Sequence, residues 1–215
     1  RLVLTPYSPS PMDQVLPYLA SHPLELVTIC ISLVWLVLEY RASIWLWPVG
    51  IILPLLWLPI AWGARLYGML TIHVYYLVTS AWGWFVWLRR RPSTAAEELP
   101  ITDIPRRTLG WTLLLSGPLY GLLIALGTNY LPEWRIPWAD GLLTVSSIVG
   151  MIWMGRKWRQ HWLCWIVANA AGIISLWTAE DYLSMLVYLT NFVVSFFGYH
   201  KWSLLMKEQD ARAAA

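Results

Sequence analysis

The sequence predicts an all-α integral membrane protein with seven transmembrane helices. The chain is 58% hydrophobic and only 13% charged, which is too little charge to coat a soluble domain of 215 residues. Most of its apolar runs approach the roughly 20 residues that a helix needs to cross a bilayer. Strands of an outer-membrane barrel would be shorter and would alternate apolar with polar residues, which these runs do not.

The elements follow in chain order. Residues 1–22, which contain Pro6, Pro9, Pro11 and Pro17, predict an irregular or interfacial lead. This lead has neither a basic n-region nor a small-residue cleavage site, so no cleavable signal is expected before the first span. Seven spans are then predicted, at about 24–39, 46–62, 66–88, 109–130, 140–155, 161–178 and 181–203.

An internal repeat organises these spans. Residues 25–88 align without a gap on residues 140–203, and twelve of the 64 aligned pairs are identical, where composition alone gives roughly five. The identical pairs include Trp47/Trp162, Gly83/Gly198 and Trp87/Trp202. Duplication of a three-span unit is therefore predicted.

The repeat fixes the predicted domain organisation. Three spans plus one intervening span make the two repeats enter the membrane in the same direction, as parallel repeats. The predicted segments are a lead (1–22), repeat A (23–88), a cytoplasmic linker (89–108), an inverter helix (109–130), repeat B (131–203) and a cytoplasmic tail (204–215). In the inverter helix, Gly117 and Gly121 have the small-xxx-small spacing that predicts close packing on a neighbouring helix.

Lys and Arg residues are divided unevenly between the two sides that seven spans define. Three (Arg1, Arg65 and Arg135) lie on the side of the N-terminus, and the other twelve of the 15 lie on the side of the C-terminus. The positive-inside rule predicts an outside N-terminus and a cytoplasmic C-terminus in a bacterial inner membrane. The basic excess is topological, and no nucleic-acid partner is expected.

Polar side chains inside the spans predict a solute site between the repeats, where transporters with repeated bundles place it. Trp162, Trp165 and Asn169 share one face of the sixth span. In the seventh span a single stripe holds Ser184, Tyr188, Asn191 and Ser195, and its repeat equivalents are Met69, His73, Tyr76 and Ser80. Tryptophan faces with amides and hydroxyls suit a flat, polar, heteroaromatic solute. The candidate binding residues are Trp162, Trp165, Asn169, Tyr188, Asn191, His73, Tyr76 and Trp47.

Structural roles stay open for several of these residues. Tryptophans near span ends can be interfacial anchors, a role open to Trp45, Trp47, Trp87, Trp134, Trp138, Trp162 and Trp202. Asn169 could hydrogen-bond another helix, and His73 could relay protons, contact the solute or pack. The two cysteines, Cys30 and Cys164, lie in apolar spans, where they predict packing rather than a disulfide or a metal site.

Missing features also bound the function. The acidic residues Glu25, Glu39, Asp140, Glu180 and Asp181 fall near span ends, so no carboxylate is expected to face a buried solute. A coupled pump usually needs such a carboxylate, and its absence favours uncoupled facilitated diffusion. No Gly-rich phosphate loop is present, no cofactor or metal is predicted, and Lys201 lies too near a span end for a retinal Schiff base. Two other function classes stay open, a small-solute channel and a membrane-embedded enzyme. The sequence lacks the clustered mid-span His, Asp or Glu residues that an enzyme would need.

The Trp-x-x-Trp-x-x-x-Asn pattern of the sixth span resembles the signature of the PnuC vitamin transporters. The segments "RLYGML" (65–70), "WGWFVW" (82–87) and "GRKWRQHW" (155–162) add to this resemblance, which covers about 24–203. It departs from the family at His73, where a glutamine is expected, and near Leu53, where an asparagine is expected. These departures put the choice of vitamin in doubt.

The resemblance implies a SWEET-like fold of three, one and three helices and passive transport of a nucleoside-like vitamin. Trp162 and Trp165 would enclose its ring, and Asn169 would hydrogen-bond it. Nicotinamide riboside is the implied solute, with thiamine or riboflavin as alternatives, and a separate cytoplasmic kinase would trap it for NAD biosynthesis. The mononucleotide is not expected, because no Lys or Arg reaches a span centre to pair with phosphate. A homotrimer is implied by the resemblance alone.

Overall fold

Seven helices, numbered α1 to α7, coincide with the seven predicted spans. The computed structural model describes residues 23–63, 67–89, 99–130, 136–180 and 182–214. The helices are α1 Pro23–Tyr40, α2 Leu46–Gly63, α3 Tyr67–Arg89, α4 Arg106–Tyr130, α5 Pro137–Gly155, α6 His161–Ala179 and α7 Tyr182–Ala213. The predicted end of the seventh span at 203 is too early, because α7 continues through most of the expected tail. The predicted lead, residues 1–22, and Trp134 lie outside the described residues.

The surface of the helices is apolar, as a lipid-facing surface must be. Among the described residues, three helical segments are long and apolar enough to cross a membrane: Arg106–Tyr130, Pro137–Gly155 and His161–Thr178. Leu26–Tyr40 and Leu46–Leu56 are shorter apolar helical stretches. Leu113, Leu114 and Leu115 on α4 are each at least 60% exposed. Consecutive exposed leucines indicate contact with lipid or with another membrane protein.

Six of the helices close into a ring. Helix α1 packs on α2, α2 on α3, α3 on α5, α5 on α6, α6 on α7, and α7 returns to α1. Helix α4 stands outside the ring and packs on α5. The ring therefore takes three helices from the first half of the chain and three from the second, and its interior is the place for a solute site.

The contact between α4 and α5 is not made by the predicted glycines. A Cβ atom built on Gly117 or Gly121 would meet nothing within 4 Å in the described part of the chain. The small residue at this contact is Gly141 of α5, where a Cβ would lie 3.2 Å from the Tyr120 ring and 3.5 Å from Ile124. Within the described residues, Gly117 and Gly121 therefore make no close contact with a neighbouring helix, contrary to the prediction. Gly117 lines a groove between α4 and helices α5 and α6.

The turns that follow α1 and α5 have the same backbone conformation, 115 residues apart. Ala42 and Lys157 both adopt left-handed φ angles, 54° and 59°. Their N–H groups donate to Glu39 and Met154 carbonyl oxygens over 2.9 and 2.8 Å. Non-glycine residues rarely adopt this conformation, so its recurrence at equivalent positions is specific support for the repeat.

Tryptophans at equivalent positions of the two halves also make equivalent contacts. A Cβ on Gly83 would lie 2.3 Å from the Trp47 ring, and one on Gly198 would lie 2.5 Å from the Trp162 ring. Each glycine therefore lets an indole lie directly on a helix backbone. Trp87 Nε1 donates to the Met154 carbonyl (3.3 Å) and Trp202 Nε1 to the Glu39 carbonyl (3.0 Å). Each half thus binds the end of the other half's first helix.

The chain segment that precedes α4 is attached to this same end of the ring. Ile101 N–H donates to Gln209 Oε1 of α7 (2.9 Å), and Ile104 N–H donates to Gln160 Oε1 (3.0 Å). Arg159 donates to both carboxylate oxygens of Asp103. Ile101 is 3% exposed, so the segment is part of the packed structure. The helical extension of α7 beyond residue 203 has a structural reason in the Gln209 contact.

Candidate functional site

The interior of the six-helix ring is a cavity of about 630 Å³, within the range of small-molecule sites. All six ring helices contribute to its wall, and α4 does not. The wall residues are Thr28, Ser32, Trp35, Leu36, Glu39, Gly50, Leu53, Pro54, His73, Tyr76, Ser80, Leu143, Ser147, Met151, Trp162, Trp165, Ala168, Asn169, Leu176, Ser184, Val187, Tyr188, Asn191 and Ser195. Aromatic, amide and hydroxyl groups therefore line one shared cavity.

Two helices present their wall residues with identical spacing. On α7 the residues are Ser184, Tyr188, Asn191 and Ser195, and on α1 they are Thr28, Ser32, Trp35 and Glu39. Both sets follow i, i+4, i+7 and i+11, so each forms one continuous stripe along its helix. The α7 stripe is predicted from sequence. The same pattern on α1 is the signal that would have found Trp35 and Glu39.

A proline explains the backbone of α2 at the wall. Pro54 has no N–H, so the carbonyl of Gly50, four residues earlier, loses its helical partner. The Ser80 hydroxyl of α3 donates to this carbonyl over 3.4 Å. A neighbouring serine that compensates for a proline is typical of membrane helices. Ser80 thus joins α2 to α3 while it lines the cavity.

Trp165 presents the tryptophan face most available to a solute. It is partly buried, lines the cavity, and meets Trp35 edge to face with 6.3 Å between ring centroids. Its Nε1 donates to Glu39 Oε1 over 2.6 Å. The indole is therefore fixed in orientation by a side chain from another helix. A ring held in this way is a prepared stacking surface.

Trp162 and Trp47 are packing residues first. Both are 0% exposed, and each lies on a glycine of the next helix. Trp162 also contacts the ring of His161 and the ring of Trp202, at centroid distances of 4.9 and 6.2 Å, and contributes an edge to the cavity wall. Trp47 is not part of the wall. Both indole Nε1 atoms are buried and have no hydrogen-bond partner among the described residues.

Other span-end tryptophans divide between the interior and the surface. Trp87 and Trp202 are 2% and 0% exposed, so they are core residues rather than interfacial anchors. Trp45 and Trp138 are 66% and 49% exposed, as anchors would be.

The two predicted asparagines differ in their hydrogen bonding. Asn191 Nδ2 donates to the Val187 carbonyl of its own helix over 3.0 Å, which leaves its amide oxygen toward the wall. Asn169 is 9% exposed and lines the cavity, and its amide makes no hydrogen bond within the described residues. The alternative in which Asn169 bonds another helix therefore has no partner there. The Asn169 amide is therefore available to a molecule in the cavity.

His73 and Tyr188 occupy equivalent positions in the two halves, and both line the cavity, as do Tyr76 and Asn191. The Tyr188 ring lies directly on α6: a Cβ on Gly172 would come within 2.3 Å of it. Gly172 therefore determines how far this ring projects into the cavity. Seven of the eight candidate residues are thus brought together, and Trp47 is the one that is not.

The expectation that no carboxylate faces the cavity is wrong. Glu39 lies one residue before the end of α1, but it is 0% exposed and lines the cavity. The α1 end is covered because Trp202 binds its backbone carbonyl and His161 lies 3.0 Å from its carboxylate. The end of a span can be buried when neighbouring helices extend past it. The residue pattern of that span alone does not predict such burial.

Comparisons with known proteins place the chain among vitamin transporters. Residues 22–204 match the family model for "Nicotinamide mononucleotide transporter". The chain is 29% identical over 164 residues to the nicotinamide riboside transporter PnuC of Haemophilus influenzae, covering 75% of this chain and 70% of that protein. It is 26% identical over 171 residues to PnuC of Escherichia coli, covering 69% and 72%.

Two further similarities bear on fold and on solute. The riboflavin/roseoflavin transporter RibM of Streptomyces davaonensis is 23% identical over 190 residues, covering 87% of each chain. A crystal structure of the vitamin B3 transporter PnuC superimposes with a TM-score of 0.65 over 94% of each chain, at 21% identity, which shows the shared fold. The resemblance drawn from Trp162, Trp165 and Asn169 is confirmed: the chain belongs to the nicotinamide mononucleotide transporter family, whose PnuC members it matches in sequence and in fold.

Proposed function

We propose that the protein carries nicotinamide riboside across the bacterial inner membrane by facilitated diffusion. The observation that carries this proposal is the cavity inside the helix ring, whose wall contains Trp165, Asn169 and Glu39. A pyridinium ring stacks on an indole, and its positive charge is favoured there. Its carboxamide and sugar hydroxyls match Asn169, Asn191 and Tyr188. The names of the PnuC relatives support the same solute.

The residues that line the cavity are unsuited to nicotinamide mononucleotide as the solute, although the family description names it. No Lys or Arg is among the described residues that line the cavity, so a phosphate would have no cationic partner. Glu39 would repel it. The proposed solute is therefore the unphosphorylated nucleoside, and a separate cytoplasmic kinase traps it after entry.

Thiamine is the second candidate, because it too has one positive ring and stacks on tryptophan. Riboflavin, suggested by the similarity to RibM, is neutral and gains nothing from a carboxylate in the wall. Its larger ring system would also have to fit beside Trp35 and Trp165. The order of preference is nicotinamide riboside, then thiamine, then riboflavin.

The proposal extends to architecture. Two parallel three-helix repeats joined by α4 form a SWEET-like arrangement, supported by the equivalent turns at Ala42 and Lys157 and by the equivalent Trp–Gly contacts. The N-terminus is outside and the C-terminus cytoplasmic, which the distribution of Lys and Arg supports. The exposed leucines of α4 offer a surface for a homotrimer.

Calorimetric titration of the purified protein tests the solute directly. Nicotinamide riboside, thiamine, riboflavin and nicotinamide mononucleotide are titrated separately, and each is then competed against bound riboside. The proposal expects the riboside to bind most tightly and the mononucleotide not to compete. Displacement of the riboside by thiamine at a far lower concentration than by the riboside itself would reassign the solute and leave the fold and family unchanged.

A further inference from the structure

A buried acidic side chain at one end of the cavity is unusual inside a membrane protein. Glu39 is 0% exposed and sits in a wall that is otherwise apolar, aromatic or neutral, apart from His73. Intramembrane charges are costly, so their presence marks a site that uses them. The two repeats also differ at this position, because the residue equivalent to Glu39 in the second repeat is Met154.

Hydrogen-bond geometry places a proton between Glu39 and His161. His161 Nδ1 lies 2.8 Å from the Trp158 carbonyl oxygen, which can only accept, so Nδ1 carries a proton. His161 Nε2 lies 3.0 Å from Glu39 Oε1, and two lone pairs cannot face each other at that distance. A second proton is therefore shared by the two side chains. Trp165 also donates to Oε1, so both partners of the Glu39 carboxyl group lie at this one oxygen.

The Glu39–His161 pair is oriented with its carboxyl group toward the cavity. His161 is fully buried between the rings of Trp162 and Trp202 and is not part of the wall. Glu39 is part of the wall. A cation in the cavity thus lies nearer to the carboxyl group than to the imidazole.

The second carboxylate oxygen is unused. Glu39 Oε2 is buried and has no hydrogen-bond partner among the described residues. An unpaired carboxylate oxygen is expensive to bury, and few such atoms are left in folded proteins without a reason. Trp165, bound to the neighbouring oxygen, and Trp35, in edge-to-face contact with Trp165, place aromatic surface next to it. Aromatic faces beside a carboxylate are what a cationic ring needs.

We infer that Glu39 is the residue by which this protein selects solutes with a positively charged heteroaromatic ring over neutral rings of the same shape. The ring lies against Trp165, and its charge lies near Glu39 Oε2. This inference rests on the proposed function for the identity of the solute, and it adds the residue that reads the charge.

The test compares two solutes that differ in ring charge. Nicotinamide riboside is cationic, and its 1,4-dihydro form is neutral with the same sugar and carboxamide. Hydrogen bonds and contacts to a charged group predict that the parent protein binds the cation about ten- to a hundredfold more tightly. In Glu39→Gln the amide oxygen still accepts from Trp165, so the indole stays in place. This variant is expected to lose most of that preference and to keep only the part that the Trp165 face contributes.

A matched control and a second probe pair keep the outcomes separate. Glu208→Gln makes the same chemical change at an exposed site on α7 and should keep the preference of the parent. A parent protein that does not distinguish the two ribosides overturns the inference, whether or not Glu39→Gln folds; so does a Glu39→Gln variant that keeps the preference. If neither riboside binds, the proposed function fails. N1-methylnicotinamide, which is cationic, against neutral nicotinamide then decides the inference by the same criterion.

Discussion

Substitution of Gly172 by alanine tests how the tyrosine of α7 shapes the cavity. The added Cβ would lie 2.3 Å from Tyr188 Cδ1 and 2.4 Å from its Cε1. An ordinary contact begins near 3.4 Å, so the ring must move by at least 1.1 Å (3.4 − 2.3). Helix α6 blocks movement toward itself, and Tyr188 lines the cavity on its other side. The ring is therefore expected to shift into the space of the solute.

The expected magnitude follows from the cost of overpacking. Forcing a ring out of place in a packed interior costs about 1–3 kcal/mol. If the solute must push Tyr188 back, that cost appears on binding, and affinity falls by about 5- to 140-fold. Stability changes less, because alanine stabilises a helix by up to about 1 kcal/mol relative to glycine.

Calorimetric titration with nicotinamide riboside and thermal unfolding in detergent measure the two effects. Gly117→Ala is the matched control, because nothing lies within 4 Å of its Cβ in the described residues, and it should bind as the parent does. Tyr188→Phe separates the hydroxyl from the ring, because it keeps the ring against α6 and removes only the hydroxyl group. If Gly172→Ala binds the riboside with unchanged affinity, the ring position of Tyr188 does not shape the site, and the reasoning is refuted.

Three other outcomes are expected. Trp165→Ala should weaken riboside binding about tenfold or more, because base–aromatic stacking is worth about 1–3 kcal/mol. The control variant Trp165→Phe keeps a ring and loses only the bond to Glu39. Equal affinities in calorimetry for Trp165→Ala and the parent would make Trp165 a packing residue. Uptake of labelled riboside into proteoliposomes should equilibrate without accumulation under a proton or sodium gradient, because the family resemblance implies passive transport; accumulation without a kinase would contradict this. Ala42→Gly should raise the unfolding temperature, since a left-handed alanine costs about 1 kcal/mol; a lower temperature would show that the Ala42 methyl group matters more than the backbone conformation.

The helices were predictable because span length and apolarity are local properties. Each predicted span begins and ends within a few residues of its helix, except that α7 runs on to Ala213. That extension depends on a contact with Ile101, which is 108 residues away in the chain. The lack of a close contact at Gly117 and Gly121 among the described residues could not be predicted either, because a small-xxx-small spacing permits close packing without determining whether a partner helix lies there.

The site was predictable where a pattern repeats along one helix, and not where burial depends on several helices. Trp165, Asn169 and Tyr188 lie on stripes that the spacing predicts. Glu39 lies on an identical stripe but close to a helix end, where an acidic residue normally faces water. Its burial depends on His161 and on Trp202, 122 and 163 residues further along the chain. Long-range packing of this kind leaves no local signature.

The internal repeat shows which positions of the bundle differ between the two halves. Packing positions have stayed identical: Trp47 and Trp162 both lie on glycines, and Trp87 and Trp202 both bind the opposite helix end. Several wall positions have diverged, with Gly50 against Trp165, Pro54 against Asn169 and His73 against Tyr188, whereas the wall serines Ser80 and Ser195 are identical. A nucleoside has no two-fold symmetry, so a wall with two identical halves could not match both its charged ring and its sugar. Under the proposed function, the half that carries Trp165 and Asn169 would supply stacking and amide contacts, and the half that carries Glu39 would supply the charge, which accounts for the lack of a carboxylate at Met154.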